Sequence, residues 1–140
     1  MTQVFFYHGA SDKLAAACAL IGKAHAQQKP MLIYAPEDHL AQAIDRLLWA
    51  RAPLSFLPHC DQDAPIAGET PILIARQLQQ PAQTERLMNL GPDLPPQCER
   101  FTSIIEVVGR EENDRLAARQ RFKQYKDRGI PIQSIDLSGK

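Results

Sequence analysis

Four short, largely apolar runs recur along this chain, and each is followed by a longer segment of mixed polarity. The runs are residues 4–7, 31–34, 71–75 and 103–108. Short runs of this kind are typical of strands that are buried on both faces of a parallel sheet. Because parallel strands need crossover segments, the pattern predicts a Rossmann-like three-layer α/β domain, with a mostly parallel sheet flanked by helices.

The segments between the runs carry helical spacing and helix end signals. Leu14, Cys18 and Ile21 fall on one face of a first helix, for which Ser11 is the predicted N-cap. A second helix is predicted over residues 36–49, since a proline at the first helical position costs no hydrogen bond. A third is predicted over residues 111–128, with Gly129 as its left-handed C-terminal cap.

The remaining elements are shorter. Apolar content predicts strands at residues 55–57 and 132–135, and a short helix over residues 83–88. Turn-forming residues predict a polar loop over residues 59–70.

Size and charge favour one globular domain spanning residues 1–140. A chain of 140 residues with 44% hydrophobic and 23% charged residues can bury a core without disulfides or metal. The formal net charge is zero. Proteins that coat DNA carry a broad basic excess, so any nucleic-acid contact here would have to use a local patch.

Cysteine usage and hydropathy predict a cytoplasmic protein. Cys18, Cys60 and Cys98 are odd in number and widely spaced, which argues against a disulfide framework. The amino terminus lacks a basic region followed by an apolar stretch, so no signal peptide is expected. No stretch approaches the ~20 apolar residues of a membrane span, and no membrane association is expected.

The turn after the first strand raises the question of nucleotide binding. Residues 7–13 contain a single glycine, Gly9, and end in Lys13. They match neither the dinucleotide fingerprint nor the P-loop, in which several backbone amides close around phosphates. We therefore expect no nucleotide cofactor, and a nucleotide-dependent enzyme that uses this turn remains the alternative.

Sites for metal or hydrolytic chemistry are also weakly indicated. His59, Cys60 and Asp61 are adjacent, whereas structural zinc sites use spaced pairs of ligands. No local signature marks a Ser-His-Asp triad. We expect no metal site and no catalytic residue.

The predicted helix over residues 111–128 has the most distinctive charge pattern. Arg115, Arg119, Lys123 and Lys126 lie with Phe122 on one face. Like charges at this spacing repel one another, and a negatively charged partner would relieve the repulsion. A short acidic peptide that ends in an apolar residue fits such a face. A nucleic-acid backbone and an ordinary solvated helix are the alternatives.

The neighbouring residues of this helix should point inward. Ala118 and Tyr125 lie beside Phe122 on the side expected to face the sheet.

An apolar segment near the end of the second helix is the other candidate surface. Residues 47–59 contain Trp49 and Phe56 among several leucines. Such a segment belongs either to the core or to an exposed patch that binds a partner, where tryptophan is a frequent anchor.

Two runs of the sequence resemble the chi subunit family of bacterial DNA polymerase III. They are residues 48–59, which include Trp49 and Phe56, and residues 105–108 followed by 118–125. The resemblance implies a non-catalytic accessory subunit that works in DNA replication, monomeric when alone. By the same resemblance, any contact with DNA is expected to be mainly indirect.

The family resemblance also implies two separate binding surfaces. It assigns Trp49 and Phe56 to the interface with the psi subunit of the clamp loader. It assigns the second surface to the acidic C-terminal tail of single-stranded DNA-binding protein. On this chain that surface comprises Arg115, Arg119, Phe122, Lys123 and, from the helical face, Lys126. Phe122 stands where the family usually has tyrosine, and Arg115 where it has lysine.

Overall fold

The structure is a computed structural model that describes residues 2–27, 29–50, 59–61, 72–75, 85–91, 93–95 and 98–137. Its strands are β1 (Gln3–Ala10), β2 (Met31–Tyr34), β3 (His59–Asp61), β4 (Ile72–Ala75), β5 (Arg86–Asn89), β6 (Ser103–Gly109) and β7 (Ile132–Asp136). Its helices are α1 (Lys13–Ala26), α2 (Asp38–Ala50) and α3 (Glu112–Asp127).

The strands form one sheet in the order β3-β4-β2-β5-β6-β1-β7. Every strand pairing within the described ranges is parallel. The predicted α/β architecture is therefore confirmed, and the carboxyl ends of all these strands lie at the same edge of the sheet.

Helices cover the sheet on both faces. Ile72 and Ile74 of β4 pack in a cluster with α1 and α2, whereas Leu73 and Ala75 pack in the cluster that includes α3. Alternate residues of one strand point to opposite faces, so an entirely apolar strand supplies both clusters. This gives the three layers that the apolar runs predicted.

Asp12, rather than Ser11, caps the first helix. The Asp12 carboxylate accepts a hydrogen bond from the Ala15 amide at 3.1 Å, and the Asp12 carbonyl accepts one from Ala16 at 3.0 Å. The predicted cap was thus one residue early. Aspartate caps as well as serine does, and its charge is also favourable at a helix amino terminus.

The helix predicted over residues 83–88 is wrong, because Arg86–Asn89 forms strand β5. This strand pairs with β2 on one side and β6 on the other, and Leu87 and Met88 have no solvent exposure. A four-residue apolar run fits a buried strand as well as one helical turn, and the sequence does not distinguish them. Pairing on both sides favours the strand.

Part of the polar loop predicted over residues 59–70 is instead a strand at one edge of the sheet. His59–Asp61 forms β3, which pairs with Ile72–Ile74 of β4. Strands at the edge of a sheet tolerate polar residues. The polar composition of this segment is therefore compatible with an edge strand as well as with a loop. The strand predicted at residues 55–57 lies outside the described residues.

The third helix agrees with its prediction. Ala118 and Tyr125 are buried against the sheet, and Gly129 has a φ of 74°, the left-handed geometry expected after a helix end. None of the described helices is long and apolar enough to cross a membrane.

Candidate functional site

A buried polar network attaches α3 to the sheet. Glu106 of β6 accepts hydrogen bonds from Arg121 Nε at 3.0 Å, Tyr125 Oη at 2.7 Å and Asn89 Nδ2 at 2.9 Å. Glu106 is 0% exposed and Arg121 1% exposed. A buried charge is tolerated when it is paired and hydrogen-bonded, as this one is. The network therefore fixes which face of α3 meets the sheet.

Burial dominates the titration of this network. It raises the pKa of the Glu106 carboxyl, although the Arg121 guanidinium and the hydrogen bonds from Asn89 and Tyr125 oppose the shift. Burial, reinforced by the Glu106 charge and hydrogen bond, also raises the pKa of the Tyr125 hydroxyl far above its usual 10.0. Tyr125 consequently remains a hydrogen-bond donor.

With Arg121 turned inward, the other basic residues of α3 face solvent. Arg115, Arg119, Lys123 and Lys126 are exposed, and Phe122 is 36% exposed. No carboxylate among the described residues forms an ion pair with these four cations. Their charges are thus available to a ligand.

A cavity of about 450 Å³ lies between the first half of α3 and the carboxyl ends of three adjacent strands, β6, β1 and β7. Its lining residues are Phe6, His8, Gly9, Val108, Gly109, Arg110, Arg115, Ala118, Arg119, Phe122, Ser134 and Asp136. Its volume is within the ~300–1,000 Å³ range of ligand sites.

The predicted site residues separate into two groups at this cavity. Arg115, Arg119 and Phe122 line it, whereas Lys123 and Lys126 lie on α3 outside the lining. The geometry therefore joins two guanidinium groups and an aromatic ring at a concave surface, with two further cations along the same helix.

An aromatic contact shapes the apolar side of the cavity. The Phe6 ring packs edge-on against Phe122, with centroids 5.4 Å apart and an interplanar angle of 61°. On its other side Phe6 packs against Tyr125 at 6.0 Å. Edge-to-face pairs at such distances are favourable, so the contact with Phe6 fixes the position of the partly exposed Phe122 ring.

Comparison with known proteins decides the family of this chain. The family model described as "DNA polymerase III chi subunit, HolC" matches residues 1–133. The chain belongs to this family. The match extends from β1 through α3 to the start of β7.

Curated proteins agree with the chi assignment. The chain is 30% identical to "DNA polymerase III subunit chi" of Pseudomonas aeruginosa over 145 aligned positions, which cover 98% of both proteins. It is 32% identical to the chi subunit of Haemophilus influenzae, with 86% of this chain and 85% of that protein covered. The chi subunit of Escherichia coli is 26% identical, with 84% and 80% covered. Membership supports a role in DNA replication.

Sequence reasoning missed Arg110 in this chi-family chain. Arg110 directly follows β6, lines the cavity and donates from Nε to the Gly9 carbonyl at 3.3 Å. A basic residue at the carboxyl end of a buried strand is a signal that could have identified it, since ligands of α/β folds gather at that edge.

Lys13, the last residue of the turn after β1 that contains Gly9, forms an ion pair with Asp114. Its ammonium group bonds Asp114 Oδ1 at 2.8 Å, while Asp114 Oδ2 accepts the Gly109 amide at 2.7 Å. This pair therefore ties the start of α1 to the first turn of α3 and, through the Gly109 amide, to the end of β6.

The second surface, which the family resemblance assigns to Trp49 and Phe56, lies largely outside the described residues. The backbone of Trp49 belongs to α2, which ends at Ala50. Its side chain, like the whole of Phe56, lies outside the described residues. Their assignment to a partner interface stays a prediction.

Proposed function

We propose that this chain is a non-catalytic accessory subunit of the DNA polymerase III holoenzyme. It binds the acidic C-terminal tail of single-stranded DNA-binding protein at the α3 cavity and binds the psi subunit through a separate surface. The observation that carries the proposal is that Arg115 and Arg119, without ion pairs to the described residues, line a cavity together with the apolar side chains of Phe6, Val108 and Phe122.

The cavity suits the terminal phenylalanine of such a tail. Phe6, Val108 and Phe122 offer apolar contacts, and burying one phenylalanine side chain contributes about 1.5–3 kcal/mol. Exposed ion pairs contribute about 0–1 kcal/mol each. The aromatic residue of the tail should therefore supply much of the affinity.

The exposed cations of α3 suit the acidic part of the tail. Lys123 and Lys126 extend the positive face of α3 beyond the cavity, where successive aspartates of a tail would lie. Arg119 has a guanidinium that can hold a carboxylate through two parallel hydrogen bonds. Together these groups favour an acidic segment along α3 and its end in the cavity.

Calorimetry with a synthetic tail peptide tests this function. Arg119→Ala should weaken binding by about tenfold, close to the contribution of one charge-assisted contact, and leave the melting temperature unchanged. Lys29→Ala is the matched control, because it removes one exposed positive charge just before the amino end of β2, far from the cavity. Equal affinity of the Arg119→Ala variant and the unaltered protein would reject the assignment.

The psi surface rests on the family motif that contains Trp49 and Phe56. Trp49→Ala and Phe56→Ala should each reduce capture of a psi-containing clamp loader while tail binding is retained. Circular dichroism checks that each variant is folded. If both variants capture the clamp loader normally, the motif serves another role.

Direct binding of single-stranded DNA is the second candidate function, favoured by the exposed cations that extend past the cavity. It predicts strongly salt-sensitive binding to a bare oligonucleotide without any protein partner. Binding of the tail peptide alone, with no binding of the oligonucleotide, would eliminate this candidate.

A further inference from the structure

The cavity beside α3 lies at a point where two adjacent strands lead to opposite faces of the sheet. Strand β1 continues into α1, which packs on one face, and its neighbour β6 continues into α3, which packs on the other. Open α/β sheets bind ligands, nucleotides among them, outside the carboxyl ends of the strands at such a point. The fold therefore places this cavity where a small ligand is favoured.

The turn after β1 does not offer the phosphate contacts of a glycine-rich loop. Lys13 is paired with Asp114, and the Gly109 amide donates to the same carboxylate. A lysine and a backbone amide are the groups that hold a phosphate in such a loop, and here both are bound within the protein. Phosphate binding in this chain would have to use other side chains.

Three arginines from two elements supply such side chains. Arg110 follows β6, Arg115 and Arg119 lie on α3, and all three line the cavity. Arg110 Nε donates to the Gly9 carbonyl at 3.3 Å, and no contact of its terminal nitrogens with the described residues is found. Guanidinium groups bind phosphate oxygens through paired hydrogen bonds. The corner between β6 and α3 is therefore the phosphate-binding end of the cavity.

The rest of the lining suits a base. Phe6 and Phe122 form the apolar side, and the Phe122 ring is 36% exposed. Asp136 lines the cavity from β7, which is separated from β6 by β1. A carboxylate repels phosphate but accepts hydrogen bonds from the amino group of a base. A volume of about 450 Å³ is within the range of small-molecule sites.

We propose that the cavity binds a free nucleoside diphosphate, with its phosphates at the arginines and its base against Phe122. A nucleotide seated there occupies the same volume as the tail of the proposed function, so the two ligands exclude one another. The nucleotide site stands on the cavity alone, whereas the competition rests on the proposed function.

Calorimetry with ADP, GDP, adenosine and inorganic pyrophosphate tests the site without any protein partner. At least one of the two nucleotides should bind, and adenosine should not, because it has no phosphate for the arginines. Pyrophosphate should bind about tenfold more weakly than the better nucleotide, since it has no base to stack on an aromatic ring. The bound nucleotide should also raise the melting temperature.

Variants assign the binding to the arginines. Arg110→Ala and Arg115→Ala should each weaken binding of the better nucleotide by about tenfold, since each removes a charge-assisted contact. Arg110→Lys should retain part of the affinity, because it keeps the charge and loses the forked geometry. Lys29→Ala is again the matched control and should bind like the unaltered protein. Melting temperatures without ligand check that every variant is folded.

Four outcomes decide between the possibilities. Equal affinity for pyrophosphate and the nucleotides, or equal affinity of Arg110→Ala and Lys29→Ala, would overturn the nucleotide site. Tighter binding of a 5′-phosphorylated oligonucleotide than of ADP or GDP would assign the site to a DNA end instead. Binding of the tail peptide but of neither nucleotide would overturn the inference and leave the proposed function standing. Nucleotide binding that does not displace the tail peptide would support the nucleotide site and place the peptide elsewhere.

Discussion

The hydroxyl oxygen of Tyr125 lies 2.7 Å from the carboxylate of Glu106, and neither side chain has solvent exposure. The same carboxylate accepts a hydrogen bond from Nε of Arg121, which lies one helical turn earlier on α3. Two hydrogen bonds from one helix to one carboxylate fix the rotation of that helix. Arg115, Arg119 and Phe122 hold their positions at the cavity because the opposite face of α3 is bound in this way.

Removing the Arg121 guanidinium from the buried polar network should lower the free energy of unfolding. Arg121→Ala leaves the buried Glu106 carboxylate without its cation, and breaking a buried ion pair from one side costs about 3–5 kcal/mol. We expect a loss of unfolding free energy of that order, measured by urea denaturation. Arg119→Ala, two residues away and exposed, should change it by less than about 0.5 kcal/mol. Equal losses in the two variants would contradict the assignment of Arg121 to the core.

Tyr125 should contribute a specific loss of stability at alkaline pH. Its pKa in the folded protein is raised above the ordinary value of 10.0, so its contribution is complete below pH 10.0. Above that pH the unfolded chain loses the proton and the folded chain keeps it, so the free energy of unfolding falls as pH rises. Tyr125→Phe should show a shallower fall between about pH 9 and 11 in urea titrations. Identical slopes for the two proteins would refute the prediction.

Arg115 and Lys126 carry the same charge on the same face but differ in position. Arg115 lines the cavity and Lys126 does not. Arg115→Gln should therefore weaken tail-peptide binding about fivefold, and Lys126→Gln about twofold, in calorimetry at low salt. Both effects should shrink as salt screens the exposed charges. A larger loss of affinity in Lys126→Gln than in Arg115→Gln would indicate that the peptide binds outside the cavity.

Phe122 should matter for binding more than for folding. Phe122→Ala removes the ring that packs edge-on against Phe6, a contact of about 0.5–1.5 kcal/mol, and opens the apolar side of the cavity. We expect a loss of peptide affinity of at least tenfold and a small drop in melting temperature. Phe122→Tyr keeps the ring and should bind with nearly unchanged affinity. Weak binding by the tyrosine variant would mean that the ring edge is more confined than its 36% exposure indicates.

The layered fold could be predicted from the sequence because it depends on patterns that are local. The apolar runs at β1, β2, β4 and β6 were long enough to identify, and Gly129 marked the end of α3. Strand β5 was mistaken for a helix, because its four residues become a strand only through pairing with β2 and β6. The strand at β3 depends in the same way on its neighbour β4.

The candidate site could be predicted only where a single helix carries it. The spacing of Arg115, Arg119 and Phe122 along α3 is visible in the sequence. The contributions of Arg110, Ser134 and Asp136 come from other elements that meet only in the folded sheet. The burial of Arg121 has no local signal in the sequence, since its buried partner Glu106 lies on a different element.

Strand β1 lies between β6 and β7, so residues from near the start and near the finish of the chain form adjoining parts of the cavity floor. No fragment that lacks either end could reproduce this surface. A peptide seated there would span the outermost strand on that side and its neighbour. If the proposed function holds, occupancy should therefore slow amide hydrogen exchange in β7, an element separate from the helix that carries Arg115 and Arg119.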